Sequence, residues 1–439
     1  MSFAIVRYAV ILMLSAVLFA CSGISGSRLS PFKKEEVKLP GERISVLKAR
    51  DGFQVDPEVA KQPIALPPAR RNVVWSQPGG VPSNAPGHLE YGGAAGSSWR
   101  ADIGSGSSDE GRLTASPIVF DGKVFTLDTR GVVSAYAASG GSRLWQVSLA
   151  PENEKGYEGF GGGLAAVSGR VFATTGFGSV IALNASNGAV EWTRKIGVPL
   201  RSSPTAIDGK LFFVSTESKL YCLSTVDGVE LWTFRGLPET ATLLSNVSPA
   251  VAGNTVVVPY PSGELVAYNI SAGRPVWVDS LSRTTGGGSG LASLSDPARP
   301  VIDRGVVFAV SHAGRMIATA ERTGERIWTK RVTGTQMPWP AGDVVFVVDI
   351  NGVLMALSRR DGKVRWLTEL PQAKRWSGPV LASGRLWLAS TEGTVVSVDA
   401  KTGAIGSQRD VDSAVNIAPI IASGRMYVLT DKARLVALN

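Results

Sequence analysis

The stretch PIVFDGKVFTLDTRGVVSAYAASGGSRLWQVSL, residues 117–149, contains four short runs of β-branched and aromatic residues separated by turn formers. Asp121-Gly122 is a two-residue hairpin turn between the first two runs, and Arg130-Gly131 forms a turn before the third. A polar loop that ends in Gly141 precedes the fourth run, which carries Trp145. The stretch therefore predicts four short β-strands joined by turns.

The same unit repeats along the chain, and a tryptophan recurs four residues after a glycine. Four strands in a unit of roughly 44 residues are typical of a β-propeller blade, and eight such units argue against a β-sandwich or a β-helix. Because tryptophan buries a large apolar area, we assign the recurring tryptophans a structural role between neighbouring blades. They are Trp99, Trp145, Trp192, Trp232, Trp277, Trp328 and Trp366, and Ser407 takes the tryptophan position of the unit that contains Gly403.

The last unit starts at Pro419 and breaks off at Asn439, before its fourth strand. Residues 99–104, Trp-Arg-Ala-Asp-Ile-Gly, have the pattern of a fourth strand with no three strands before them. We therefore predict an all-β, eight-bladed β-propeller over residues 99–439, whose last blade is completed by the strand near Trp99. Such closure removes the open sheet edges on which other chains could pair.

The N-terminal region differs from the repeats. Residues 1–20 have one arginine and then an apolar run too short to span a bilayer comfortably, which predicts a signal peptide. Leu18-Phe19-Ala20-Cys21 resembles a bacterial lipobox, which predicts lipidation of Cys21, and Ser22 favours sorting to the outer membrane. Residues 21–70 are interpreted as the lipidated end and a flexible tether, and residues 71–98 as a lead-in segment.

Composition gives little support for a reaction centre. The net charge of +9 suits an acidic partner, anionic lipid head groups or a solvated basic surface equally well. His88 and His312 are too few for a histidine-rich metal site, although carboxylate or calcium sites remain open. Cys222 stands where other units have alanine, which predicts a buried thiol rather than a nucleophile. We expect no metal, no cofactor and no enzymatic activity.

The Gly-x-x-x-Trp repeat and the stretch WSQPGGVPSNAPG (75–87) resemble the pyrroloquinoline-quinone dehydrogenases. That resemblance implies a quinone and calcium in a central channel, commonly beside a pair of adjacent cysteines. This chain has no such pair. A repeat describes the scaffold and not the activity, so a periplasmic quinoprotein enzyme is kept as an alternative. A second alternative is a propeller that binds peptidoglycan or a sugar, for which Trp339 and Trp376 are the candidate residues because they lie outside the repeat positions.

The lipobox, the tether and the eight repeats together resemble the BamB family, with LPGERISVL (39–47) similar to the lead-in of α-proteobacterial members. The resemblance implies a non-enzymatic scaffold lipoprotein of the β-barrel assembly machinery, anchored by lipid to the outer membrane and facing the periplasm. It implies contact with the POTRA domains of BamA, with other Bam lipoproteins through the complex and with unfolded outer-membrane proteins. Nucleic acid is not an expected partner.

The resemblance also implies where BamA binds. Long loops on a rigid scaffold commonly carry binding, and two of the long inter-blade connections lie at about 235–248 and 281–299. The family contact has a Leu-x-Leu-Arg element followed by a proline, and a Leu-Ser-Asp-x-Asp element. Leu244 stands at the arginine position of the first, and Ala298 replaces the second aspartate of the other. The residues predicted to bind the partner are Leu243, Leu244, Leu294, Ser295 and Asp296.

Overall fold

The computed structural model describes residues 53–92, 98–237, 247–282 and 297–439. These residues form eight four-stranded antiparallel sheets, in each of which the strands are hydrogen-bonded in sequence order apart from the blade that contains the C-terminus. The predicted eight-bladed β-propeller is therefore confirmed. In this part of the chain the helices are one short α-helix, α1 (Pro57–Ala60), and one 3-10 turn (Gly156–Gly159), neither of which is long and apolar enough to cross a membrane.

The strands are numbered along the chain, and β1 (Trp99–Asp102) precedes blade 1. Blades 1 to 4 consist of β2 (Ile118–Phe120), β3 (Lys123–Leu127), β4 (Val132–Ala137), β5 (Arg143–Ser148); β6 (Gly162–Val167), β7 (Arg170–Thr175), β8 (Ser179–Asn184), β9 (Val190–Lys195); β10 (Thr205–Ile207), β11 (Lys210–Val214), β12 (Lys219–Ser224), β13 (Glu230–Arg235); and β14 (Ala250–Ala252), β15 (Thr255–Pro259), β16 (Glu264–Asn269), β17 (Pro275–Ser280).

Blades 5 to 7 and the strands of blade 8 follow in the same way. They consist of β18 (Val301–Asp303), β19 (Val306–Val310), β20 (Met316–Ala320), β21 (Arg326–Lys330); β22 (Trp339–Ala341), β23 (Val344–Val348), β24 (Val353–Ser358), β25 (Val364–Glu369); β26 (Trp376–Ala382), β27 (Arg385–Ser390), β28 (Thr394–Asp399), β29 (Ile405–Asp410); and β30 (Ile420–Ala422), β31 (Arg425–Leu429), β32 (Arg434–Leu438).

Blade 8 is completed from the other end of the chain. Strand β1 pairs antiparallel with β32, so that Trp99 lies opposite Ala437 and Asp102 lies opposite Arg434. The order of the sheet is β1-β32-β31-β30, which makes β1 the outermost, fourth strand of this blade. The predicted closure of the ring by the strand near Trp99 is confirmed.

Tight turns join the first two strands of the blades. Asp121 and Gly122 have φ values of 49° and 67°, and Ser423 and Gly424 have values of 53° and 73°. Two successive residues with positive φ are what a two-residue hairpin with the twist of its strands requires. All first strands run in the same direction, so these turns lie together on one face of the ring, called here the hairpin face. The connections between blades lie on the opposite face, called the loop face.

The seven recurring tryptophans all contact the blade that follows their own. Each indole Nε1 donates a hydrogen bond of 2.7–3.3 Å to a carbonyl oxygen in the next blade. Each ring also covers a glycine there, and a Cβ at Gly324, for example, would lie 2.6 Å from Cβ of Trp277. The tryptophan–glycine pairs across the seams are Trp99–Gly141, Trp145–Gly188, Trp192–Gly228, Trp232–Gly273, Trp277–Gly324, Trp328–Gly362 and Trp366–Gly403.

The N-terminal residues that the structure describes are packed onto the propeller rather than free of it. Val55 pairs in parallel with Val364 on the outer strand of blade 6, and Arg365 binds both Asp343 and the carbonyl of Pro63. Residues 53–70, which belong to the segment interpreted as a tether, thus contact the propeller at several points. A proline-rich extended segment has the same amino-acid composition whether its backbone groups form hydrogen bonds with water or with the edge of a strand. Composition therefore does not separate a free segment from a bound one.

Residues 70–92, called here the channel strap, run once around the central channel and bond to the first strand or its flanks in every blade. Trp75 exchanges two backbone hydrogen bonds of 2.8 Å with Val119 in blade 1. The other contacts, from blade 8 through blades 2 to 7 and back to blade 8, are Asn72–Ser423, Ser76–Ala166, Gln77–Ala206, Pro82–Val251, Ser83–Ile302, Gly87–Trp339, Leu89–Leu381 and Gly92–Gly424.

The channel strap occupies the hairpin-face half of the channel. It pairs with the second half of the first strands, and its contacts with Ser383, Gly384 and Gly424 are to the hairpin turns themselves. Trp75, Gln77 and Asn84 are buried in it. The channel strap therefore closes the central channel at the hairpin face, and the space that the described residues leave lies on the side of the loop face.

Replacement of Trp277 by alanine is expected to destabilise the propeller strongly. The side chain is 8% exposed, and its loss leaves a cavity over Gly324 and an unpaired carbonyl at Glu321. We expect the free energy of unfolding, measured by guanidinium denaturation, to fall by about 3–5 kcal/mol. Val278→Ala, at the next residue and 60% exposed, is the matched control and should cost less than about 1 kcal/mol. Equal losses for the two variants would contradict the seam role of Trp277.

A second substitution tests the channel strap. The Gln77 amide is 2% exposed, donates to Ala206 O at 2.7 Å and accepts from Ala206 N at 3.2 Å. Gln77→Leu leaves both backbone groups unpaired, so we expect a loss of about 2 kcal/mol in the same denaturation measurement. Gln372→Leu, at an exposed position, should cost less than about 0.5 kcal/mol. A loss for Gln77→Leu no greater than that of the control would show that the channel strap adds no stability.

Candidate functional site

The residues predicted to bind a partner, Leu243, Leu244, Leu294, Ser295 and Asp296, lie outside the described residues, between 237 and 247 and between 282 and 297. The structure does describe where the two connections leave and return. The first joins blade 3 to blade 4 and the second joins blade 4 to blade 5, so both belong to the loop face and flank the same blade.

Both ends of the second connection are held by hydrogen bonds to blade 5. Leu281 is buried, and its carbonyl accepts a hydrogen bond of 3.1 Å from Ser311 Oγ in blade 5. Ala298 N donates to Val310 O at 2.9 Å, which fixes the return of the second connection to the same blade. Leu237, the last described residue before the first gap, is by contrast 58% exposed. The scaffold thus holds two neighbouring loop bases on one face.

Both connections return to the wall of a single cavity on the channel axis, called here the funnel. Val247 and Pro297, the first described residues after each gap, line it. Trp75 and Pro78 of the channel strap also line it, beside Trp339 of blade 6. The cavity has a volume of about 340 Å³. It is therefore a recess of small-molecule size, closed on the hairpin face by the channel strap.

Three arginines line the funnel from three blades. Arg112 precedes β2 of blade 1, Arg299 precedes β18 of blade 5, and Arg375 precedes β26 of blade 7. No Asp or Glu stands among the described residues of the lining. Burial lowers the pKa of Arg299 to about 10, because a guanidinium charge is costly away from water, yet the group stays protonated at neutral pH.

Asp109, Asp412 and Asp431 line a neighbouring cleft together with Arg112. Burial raises the pKa of Asp431, while a hydrogen bond of 2.7 Å from Asn416 and the charges of Arg112 and Arg375 act in the opposite direction. The two arginines are therefore partly balanced from the side. Among the described lining residues, the charged side chains are the three arginines.

The sequence contains no signal by which these arginines could have been grouped. Relative to the prolines near the blade starts, at 117, 300 and 379, they stand five, one and four residues earlier. A repeat-based search finds only side chains that recur at one offset. The funnel was therefore missed because it collects single, non-repeated residues from different blades.

Trp339 and Trp376, the candidate residues for sugar binding, make other contacts in the structure. Trp339 is buried, stacks on Trp75 with ring centroids 6.4 Å apart, and donates to Gly87 O at 3.0 Å. Trp376 is also buried and donates to Pro371 O at 3.2 Å. The two side chains serve the core and the channel strap, and neither offers an open ring face for a sugar.

The quinoprotein alternative finds no ligand set in the described residues. No group of three or more His, Cys, Asp or Glu is placed to hold a metal ion within these ranges. Cys222 is fully buried opposite Trp232 in the neighbouring strand, and burial raises the pKa of its thiol to about 12. A thiol in this state is a packing group and not a nucleophile at neutral pH.

Comparisons with known proteins agree on one family. The sequence model described as outer membrane protein assembly factor BamB matches residues 129–368 and 369–439. BamB of Escherichia coli K12 is 28% identical over 335 residues, which cover 75% of this chain and 85% of the relative, and BamB of Yersinia pestis is 26% identical over 336 residues, with the same coverage.

Solved structures share the fold. The crystal structure of BamB from Moraxella catarrhalis has a TM-score of 0.64 at 17% identity and covers 77% of this chain and 99% of that one. A quinohemoprotein alcohol dehydrogenase from Comamonas testosteroni has a TM-score of 0.65 at 14% identity and covers 86% and 78%. At these identities the similarity shows a common propeller and does not separate scaffold from enzyme.

Proposed function

The chain belongs to the family of the outer membrane protein assembly factor BamB, and from this premise we propose that it is a non-enzymatic scaffold in the assembly of outer-membrane proteins. The observation that carries the proposal is the family match over residues 129–368 and 369–439, on a closed eight-bladed propeller. The quinoprotein similarity rests on fold alone, and the described residues of the funnel lining include none of the carboxylates that a calcium site uses.

The proposed partners are the POTRA domains of BamA, with other Bam lipoproteins reached through the complex and unfolded outer-membrane proteins as clients. The proposed contact is the pair of loops that carry Leu243, Leu244, Leu294, Ser295 and Asp296. Their bases flank blade 4 on the loop face, and the exposed Leu237 continues the apolar character of the first loop. A rigid scaffold that presents two adjacent loops suits a protein interface with an apolar anchor and a polar rim.

The proposed location is the periplasmic side of the outer membrane, with the lipid on Cys21 as the only anchor. Residues 1–20 are proposed to be removed as the signal peptide, which leaves residues between Cys21 and Phe53 to connect the anchor to the bound segment.

Fractionation of cells that carry Cys21→Ser tests the anchor. Without the thiol no lipid can be attached, so the protein should move from the membrane pellet to the soluble periplasmic fraction. Cys222→Ser is the control, because the buried thiol has no part in anchoring, and that variant should stay in the pellet. If Cys21→Ser also remains in outer-membrane fractions after a salt wash, anchoring through Cys21 is wrong.

Affinity purification from detergent-solubilised envelopes tests the partner and the loop site together. Wild-type protein should recover the barrel-assembly protein, and Leu243→Asp/Asp296→Arg should recover at least tenfold less, since it removes the apolar anchor and inverts a rim charge. The readout is the amount of BamA by immunoblot, at equal bait.

The matched control carries the same two kinds of change away from the loop face. Leu144→Asp/Glu230→Arg alters exposed side chains at the hairpin-face ends of the outer strands of blades 1 and 3 and should recover BamA normally. Recovery with every variant would refute the loop site and leave the scaffold role in place. Failure of folded wild type to recover BamA would count against the proposed partner itself.

A further inference from the structure

The funnel has the form of a binding site that the scaffold role does not use. It is concave, lies on the propeller axis, and ends blindly at Trp75 and Pro78 because the channel strap closes the hairpin face. A cavity of about 340 Å³ suits a small ligand or the tip of a larger one. Since the ring is closed and the channel strap is bonded to all eight blades, the walls are rigid and the site is preformed.

The charge of the funnel selects the kind of ligand. Arg112, Arg299 and Arg375 enter it from blades 1, 5 and 7, so positive charge faces the same space from three directions. Arginine presents a planar fork of donors that matches carboxylate and phosphate oxygens. Arg299 is desolvated, so its interaction with an oxyanion is stronger than that of an arginine on an open surface, whereas Arg112 and Arg375 are exposed at the funnel.

Neutral polar groups complete the lining. Ser116, Thr335 and Ser377 add hydroxyl donors between the arginines. Asp431, beside the rim, offsets part of the charge of Arg112 and Arg375 and lies outside the lining. A ligand with a single negative charge could pair with only some of the three arginines. A ligand with two or more oxyanion groups can contact arginines from different blades at once.

We propose that the funnel is a binding site for a ligand that carries at least two oxyanion groups, carboxylate or phosphate. The same chemistry occurs in a free small polyanion and in an acidic segment of a polypeptide, and the two sources are distinguished by experiment. The site is independent of the proposed BamA contact, so either can fail while the other stands.

Isothermal titration of the purified protein tests the site with three probes: citrate, pyrophosphate and tetraglutamate. We expect saturable binding of at least one probe in low salt and weaker binding in 0.5 M NaCl. Arg112→Gln/Arg375→Gln should weaken that binding by about tenfold or more, because two charge-assisted contacts are lost. Both arginines have exposed side chains, so the fold should be retained, as checked by circular dichroism.

The control must change the net charge equally. Arg194→Gln/Arg322→Gln removes two exposed arginines from the outside of the ring and should leave affinity within about twofold of wild type. Binding of citrate or pyrophosphate assigns the site to small polyanions, and binding of tetraglutamate alone assigns it to acidic polypeptide. No saturable binding of any probe, or equal weakening by the two double variants, overturns the proposal.

Discussion

The contact between a tryptophan and the glycine of the next blade sets the geometry on which the rest of the molecule depends. The indole of Trp277 lies where a side chain at Gly324 would lie, and its Nε1 reaches the carbonyl of Glu321. The contact therefore fixes both the distance between two sheets and their relative rotation. The glycine and the tryptophan of one repeat serve opposite neighbours, so each blade is held from both sides and the ring forms only when every unit is in place. This is the physical reason for the pattern that first identifies the repeat.

One seam lacks this contact, and the chain compensates there in another way. Ser407 replaces tryptophan in blade 7, and it faces a blade whose third and fourth strands are the two separate segments β32 and β1. No turn with a glycine joins those strands, so a tryptophan at 407 would have no glycine of that kind to cover. The end of the channel strap contacts both blades at this seam. Leu89 bonds to blade 7, Gly92 bonds to Gly424 in blade 8, and Tyr91 meets the ring of Trp387 edge-on at 4.9 Å. Ring closure is thus achieved by β1 on the outside and by the channel strap on the inside.

A contact can be predicted from the sequence only where it requires a particular type of residue. The blade count, the hairpin turns such as Asp121-Gly122 and the closure by Trp99 could be predicted, because each needs a particular residue at a repeated position. The channel strap could not be predicted, because most of its hydrogen bonds are made by backbone groups, which any residue supplies. The pair between Trp75 and Val119 is an example. The funnel arginines escaped because each occurs once, at its own offset, and only the closed ring brings them together.

The two faces of the ring therefore have different capacities for binding. On the hairpin face the inner strand edges are already paired by the channel strap, and Trp339 is committed to it through Gly87. On the loop face the described residues leave the funnel on the axis, and Val247 and Pro297 place the returns of two inter-blade connections on its wall. The fold is shared with quinoproteins. In this chain the channel strap fills the hairpin-face half of the channel, so the space that the described residues leave for a ligand lies in the loop-face half, beside those two connections.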